Sequence, residues 1–257
     1  MSYLTDTFSL EGRRALVTGA GRGIGRAVAE ALAGAGAEVL VHYHSSKDGA
    51  LETVGAIERA GGKAWAEQAD LTKSENVRDF FGAVRKRWNS LDILVNNTGD
   101  LVKRSKLADF TDELLEQVLR VNIHSAVYTT REALPLLRAG KSPSIVNLSS
   151  VAAHNGGNNG ASVYGGAKAM IHTMTRGLAK ELAPEIRVNA ISPGVALTDF
   201  HKRFSTPEGL AQIAQTTPLK RLGQADDHGA AVVFLCSKGA SFITGEVIEI
   251  NGGLWLA

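Results

Sequence analysis

The stretch Thr18-Gly19-Ala20-Gly21-Arg22-Gly23-Ile24-Gly25 constrains this chain most. The apolar run Ala15-Leu16-Val17 enters it, and residues 26–35, mostly small, leave it in a helix-forming pattern. That is a strand–turn–helix setting. Glycines let the backbone turn tightly and approach a ligand closely. A following helix offers free N–H groups and a partial positive charge to phosphates. The pattern reads as a dinucleotide-binding turn, although glycines also serve turns and close helix packing. The strict Gly-x-Gly-x-x-Gly spacing is absent; Gly19, Gly23 and Gly25 stand behind Thr18 instead.

The rest of the chain repeats the alternation. Short apolar runs predict strands at 38–42, 63–68, 91–96, 144–148, 187–191 and 247–250. Helical patterns lie between them at 47–60, 74 to about 88, 111 to about 137, 163–183 and 225–235, with Ser74 and Thr111 as candidate caps. A break is allowed within the 111–137 stretch, and Pro184 closes the 163–183 helix. Strands alternating with helices imply βαβ units and a parallel sheet covered on both faces. Right-handed crossovers then give an α/β, Rossmann-like, doubly wound sheet. No linker divides residues 1–257, which read as one domain. Residues 195–223 are the least regular and follow a strand's C-terminal end, so they are the candidate substrate lid.

With 257 residues the chain is long enough for a sizeable core. Its 28 basic and 26 acidic residues include no basic block, which argues against a nucleic-acid partner. No apolar run is long enough to cross a bilayer, and the first residues lack a basic and apolar leader pattern; a cytoplasmic protein is expected. The single cysteine, Cys236, lies in an apolar run and reads as a packed core thiol.

Several motifs carry chemistry. The second strand ends in His42-Tyr43-His44-Ser45-Ser46-Lys47. No carboxylate stands there to hold ribose hydroxyls or to repel a 2′-phosphate, while Arg22, His44 and Ser45 are donors. NADP(H) is therefore expected, with NAD(H) as the alternative. His42 and His44 have no companion ligands, so no metal is expected. Asp70, before Leu71, suits either an adenine amine or a loop cap. Tyr164 and Lys168 stand at i, i+4 of a helix and share a face. Free tyrosine has a pKa of about 10, and a nearby ammonium favours its phenolate. Ser149 and Ser150 end a strand upstream, where a hydroxyl can reach a substrate oxygen. Asn122 lies mid-helix, suited either to holding a relay water or to local backbone bonding.

Together, TGAGRGIG, Asn96-Asn97-Thr98-Gly99, Asn122, Ser149-Ser150, Tyr164-Gly165-Gly166-Ala167-Lys168, Pro193-Gly194-Val195-Ala196-Leu197-Thr198 and ITGEVIEINGG resemble the short-chain dehydrogenase/reductase family, in family order from about 12 to 253. Thr98 stands where the family usually has alanine. The resemblance implies Tyr164 as general acid/base, Lys168 lowering its pKa and holding the ribose, Ser150 on the substrate carbonyl and Asn122 on a relay water. The family most often sets serine and tyrosine one residue closer, which leaves Ser149 as the alternative to Ser150. It implies cofactor contacts from Gly19, Arg22, Gly23, Ile24, Gly25, His44, Ser45, Asp70, Leu71, Asn97, Thr98, Gly99, Tyr164, Lys168, Pro193, Gly194, Ala196 and Thr198. The chain looks most like 3-oxoacyl-[acyl-carrier-protein] reductases, which implies a small or carrier-bound carbonyl substrate. The alternatives are a sugar, polyol or other alcohol dehydrogenase and, remotely, a non-catalytic dinucleotide-binding sensor. Lys141 and Lys180 are candidate contacts for an acidic carrier or ordinary solvated charges. The family is commonly tetrameric, and the apolar tail 253–257 fits a subunit interface.

Overall fold

A computed structural model describes residues 3–256. Seven strands form one parallel sheet: β1 (Arg14–Val17), β2 (Glu38–Tyr43), β3 (Lys63–Gln68), β4 (Ile93–Asn96), β5 (Ser144–Leu148), β6 (Arg187–Pro193) and β7 (Val247–Ile250). Their spatial order is β3-β2-β1-β4-β5-β6-β7. The chain starts in the middle, winds to the β3 edge, then returns to β4 on the other side of β1. The order reverses between β1 and β4, which leaves a crevice at their C-terminal ends, where ligands bind in open α/β sheets.

Side-chain alternation explains why both faces are covered. Ala15 and Val17 of β1, with Val39, Val41, Ile93 and Val95, enter one core cluster. Leu16, Leu40 and Leu94, the residues between them, enter the other. The first face is packed by α2 (Gly23–Gly34), α3 (Lys47–Arg59) and α11 (Gly229–Cys236), the second by α4 (Ser74–Arg87), α6 (Ser125–Arg138) and α8 (Ser162–Glu181). Cys236 is fully buried in the first cluster, as a core thiol should be. The remaining helices are α1 (Tyr3–Phe8), α5 (Asp112–Leu119), α7 (Ala152–Asn155), α9 (Asp199–Phe204) and α10 (Pro207–Thr216).

Some local expectations change. Thr111 caps α5 by accepting the Leu114 N–H (3.2 Å). Ser74, however, is the first residue of α4 rather than its cap; Lys73 takes that place. The Ser74 hydroxyl instead accepts from Arg78 (2.9 Å) and Arg131 (3.2 Å). The break between α5 and α6 is a π-turn over Arg120–His124, centred on Asn122. Residues 195–223 are more regular than the sequence suggests, since α9 and α10 occupy most of them. Their ends are pinned together: Leu197 N–H donates to Gly223 O (2.8 Å), and Gly223 N–H to Val195 O (2.9 Å). The segment is thus a two-helix flap on a closed stem. Among the described residues no helix is long and apolar enough to cross a membrane.

Candidate active site

The glycine turn is shaped by its neighbours. Gly19 and Gly23 have φ of +63° and +55°, which side-chain-bearing residues rarely adopt. The Thr18 hydroxyl accepts from Asn97 N–H (2.9 Å) and Thr98 N–H (3.0 Å), tying β1 to the loop after β4. The Asn97 amide donates to Thr18 O (2.8 Å) and Gly19 O (3.0 Å). A Cβ on Gly25 would collide with that amide and with the Gly19 carbonyl. The Gly19 N–H donates to Nδ1 of buried His42 (3.0 Å). His42 Nδ1 is therefore an acceptor, so Nε2 carries the proton and donates to Ala69 O (3.1 Å). Burial holds this ring neutral, its pKa pushed down to about 4. His42 is a structural brace for the turn.

A cavity of about 310 Å³ runs along the sheet's C-terminal edge. It joins Gly19, Arg22, Gly23, Ile24 and Gly25 to Asn97 and Gly99, then to Ser149, Ser150, Tyr164 and Lys168, and finally to Pro193, Gly194, Ala196 and Thr198. Asp100, Leu101, Arg104, Phe200, His201 and Arg203 close its far end. The sequence therefore brings most of its expected site residues to one place. His44 and Ser45 are exposed outside this cavity, on the turn whose next residue, Ser46, packs against Gly21. Asp70 caps its own turn by accepting from Thr72 N–H (3.0 Å) and Oγ1 (2.6 Å), and the Leu71 side chain is buried in the core. Thr98 sits behind the cavity wall, its buried hydroxyl without a hydrogen bond among the described residues.

Lys168 is 4% exposed, and Nζ donates to Leu148 O (2.9 Å), 5.8 Å from the Tyr164 ring centre. A side chain on Gly99 would come within 2.8 Å of that Nζ and of Asn122 Oδ1. Burial pushes the Lys168 pKa down to about 8. Burial also pushes the Tyr164 phenol up to about 12, against a hydrogen bond with Ser150 that favours the phenolate, and with the Asp100 charge adding to the rise. The expected lowering by Lys168 is thus absent in the protein alone, because desolvation dominates. Ser149 is occupied, its hydroxyl donating to Lys168 O (3.2 Å). Asn122 is buried outside the cavity. Its amide donates to Asp100 O (2.7 Å) and Val118 O (2.9 Å), and its Oδ1 accepts from Asp100 N–H (3.2 Å). These are the local backbone bonds of a residue at a π-turn.

Sequence reasoning missed the far end. Asp100 accepts two bonds from Arg203 Nη2 of α9 (2.9 and 2.8 Å). Arg104 Nε donates to Phe204 O (2.8 Å), and Nη1 to Asn158 O (2.6 Å). His201 shares a hydrogen bond with Ser205 (3.0 Å), and burial, reinforced by Arg104, pushes its pKa down to about 4. The available signal was the basic pair Lys103-Arg104 in the loop that follows a strand's C-terminal end.

The donor set fits a nicotinamide dinucleotide. The start of α2 has no side-chain cap, so its amides are free for phosphates, and glycines line the approach.

Comparison with known proteins agrees with this geometry. Residues 19–255 match the family model described as enoyl-(acyl carrier protein) reductase. An uncharacterized oxidoreductase of Methylorubrum extorquens is 41% identical, over 95% of this chain and 98% of its own. The 2-dehydro-3-deoxy-D-gluconate 5-dehydrogenase of Bacillus subtilis is 36% identical over the full length of both chains. A 3-oxoacyl-[acyl-carrier-protein] reductase of Staphylococcus epidermidis is 35% identical, over 95% of this chain and 99% of its own. Among solved structures, a 7α-hydroxysteroid dehydrogenase complexed with NADH and 7-oxo glycochenodeoxycholic acid superposes with a TM-score of 0.92 at 33% identity, covering 98% of each chain. A gluconate 5-dehydrogenase from Burkholderia cenocepacia, in complex with NADP and tartrate, superposes at 0.91 with 28% identity, also over 98% of each. The chain belongs to the short-chain dehydrogenase/reductase family, as an NAD(P)-dependent oxidoreductase acting on CH–OH groups.

Proposed function

We propose that this protein is an NADP(H)-preferring reductase of small carbonyl compounds, with Tyr164 as the proton donor. The observation that carries the reading is the shared cavity wall of Ser150, Tyr164 and Lys168 at the end of a glycine-lined groove. When bound, the nicotinamide supplies or takes the hydride. Ser150 and Tyr164 hold the substrate oxygen by hydrogen bonds, and Tyr164 delivers its phenolic proton to that oxygen. Burial keeps the phenol protonated at neutral pH, the state that reduction needs. Lys168 would hold the nicotinamide ribose and, as the buried cation beside Tyr164, stabilises the phenolate left when the phenol has given its proton to the substrate oxygen, until solvent returns a proton. Asn122 fixes the loop that carries Asp100, its side chain being spent on backbone bonds. Ser150 takes the substrate role because Ser149 already bonds the α8 backbone.

The NADP preference rests on Arg22, which is exposed on the groove, and on the lack of a carboxylate at 44–46. Residues 1–257 act as one catalytic unit with 195–223 as substrate lid, since strands from both ends share one sheet.

Two substrate readings share this mechanism. The 3-oxoacyl-carrier reading has the support of the Staphylococcus relative, and the sugar-acid reading that of the Bacillus and Burkholderia proteins. The test is the oxidation of NADPH and NADH, in parallel, with acetoacetyl thioester and with 5-keto-D-gluconate. NADPH oxidation well above NADH with either carbonyl supports the reading. NADH preference overturns the cofactor assignment, and inactivity with every carbonyl and alcohol in a wider panel overturns the reductase.

A further inference from the structure

The far end of the cavity holds an arginine whose charge no carboxylate among the described residues offsets. Six charged side chains line the cavity: Arg22, Asp100, Arg104, Lys168, Asp199 and Arg203. Both carboxylates are engaged. Asp100 takes two bonds from Arg203, and Asp199 accepts from Lys202 Nζ (3.1 Å). Arg22 belongs to the glycine turn, and Lys168 sits beside Tyr164. Arg104 remains.

Its contacts orient the guanidinium without neutralising it. Nε donates to Phe204 O (2.8 Å), and Nη1 to Asn158 O (2.6 Å) and Asn159 O (3.3 Å). All three acceptors are backbone carbonyls, one from the lid and two from the loop before α8. Nη2 has no hydrogen-bond partner, and the side chain no ion pair, among the described residues. The neighbouring ring, His201, is held neutral and so adds no competing charge. The free Nη2 carries two N–H donors on a fixed, charged guanidinium, which suits the oxygens of a carboxylate.

Resting on the reductase reading above, we propose that the substrate is a small oxo- or hydroxycarboxylic acid, and that Arg104 binds its carboxylate while the carbonyl reaches Tyr164 and Ser150. This sets the sugar-acid branch above the acyl-thioester branch. Arg104 is then a specificity residue, and its role in bridging the lid to the 156–160 loop gives the acid a direct hold on the lid.

The test measures binding rather than turnover, with protein saturated in NADP⁺ so that the phosphate-binding turn is filled. L-tartrate and its neutral diamide are titrated by calorimetry into wild type and into Arg104→Gln. Tartrate is expected to bind wild type at least tenfold more tightly than the diamide, and the variant to lose that ratio. Arg104→Lys, which keeps the charge but not the carbonyl contacts that aim it, is expected to recover part of it. No tartrate binding by wild type, equal affinity for acid and diamide, or an unchanged ratio in Arg104→Gln each overturns the proposal. The wild-type acid-to-diamide ratio decides even if Arg104→Gln, stripped of its three carbonyl contacts, does not fold. The reductase reading fails separately, through absent NADPH binding or a fully active Tyr164→Phe.

Discussion

Three side chains show how environment overrides residue type. His42 reads from sequence only as a histidine without companion metal ligands, and its ring proves to be walled in and bonded on both nitrogens. Its pKa is pushed from 6.5 to about 4, so the neutral form stabilises the fold fully above pH 6.5, and that contribution disappears as pH falls through 4. The size is about 3 kcal/mol. Urea unfolding at pH 7 and pH 4.5 should show this loss in wild type and a smaller one in His42→Gln; equal losses contradict it. Tyr164 points the other way. Its raised pKa means that oxidation of an alcohol, which needs the phenolate, should quicken steadily from pH 7 to 10, while carbonyl reduction at pH 6–8 stays nearly flat. A pH-independent oxidation rate would contradict that. Thr98 is the family's alanine replaced, and its buried hydroxyl lacks a hydrogen-bond partner among the described residues. Thr98→Ala should therefore stabilise the protein, by about 1 kcal/mol, read as a rise in urea midpoint.

At the scale of elements, period and turn chemistry made the strands legible. Val39 and Val41 face one core cluster and Leu40 the other, so the short apolar runs could be read as strands covered on both faces. Helix ends followed local rules at Thr111, but slipped by one residue at Ser74, where the hydroxyl found arginine partners instead of the backbone. The π-turn at Asn122 was legible only as a weak helix former in a long helical pattern. Its geometry depends on Asp100, a residue distant in sequence. The lid was the least legible. Its helices are short, and the contacts that hold α9, Arg203 to Asp100 and Arg104 to Phe204, cross about a hundred positions of chain. Because the Arg203–Asp100 pair is partly exposed, Arg203→Ala should cost no more than about 1 kcal/mol in stability. It should instead loosen the lid, seen as faster proteolysis within 195–223; unchanged cleavage contradicts the strap.

For the whole molecule, strand order and cavity position follow from the βαβ alternation, and several large apolar side chains stay open on the surface. Phe242 is fully exposed, and Leu256, Leu107 and Leu219 are largely so. The tail expected at an interface behaves in two ways. Trp255 stacks on His154 of its own chain (5.1 Å, 13°), whereas Leu256 projects outward; Ala257 lies outside the described residues. We expect a homotetramer by light scattering, and a monomer at micromolar concentration would contradict this. The central claim is hydride transfer with Tyr164 as proton donor, and one comparison tests it most directly: NADPH affinity and single-turnover NADPH oxidation in wild type and Tyr164→Phe. The account predicts retained NADPH binding with a rate lowered about 10²- to 10⁴-fold. Near-wild-type oxidation by Tyr164→Phe would contradict it.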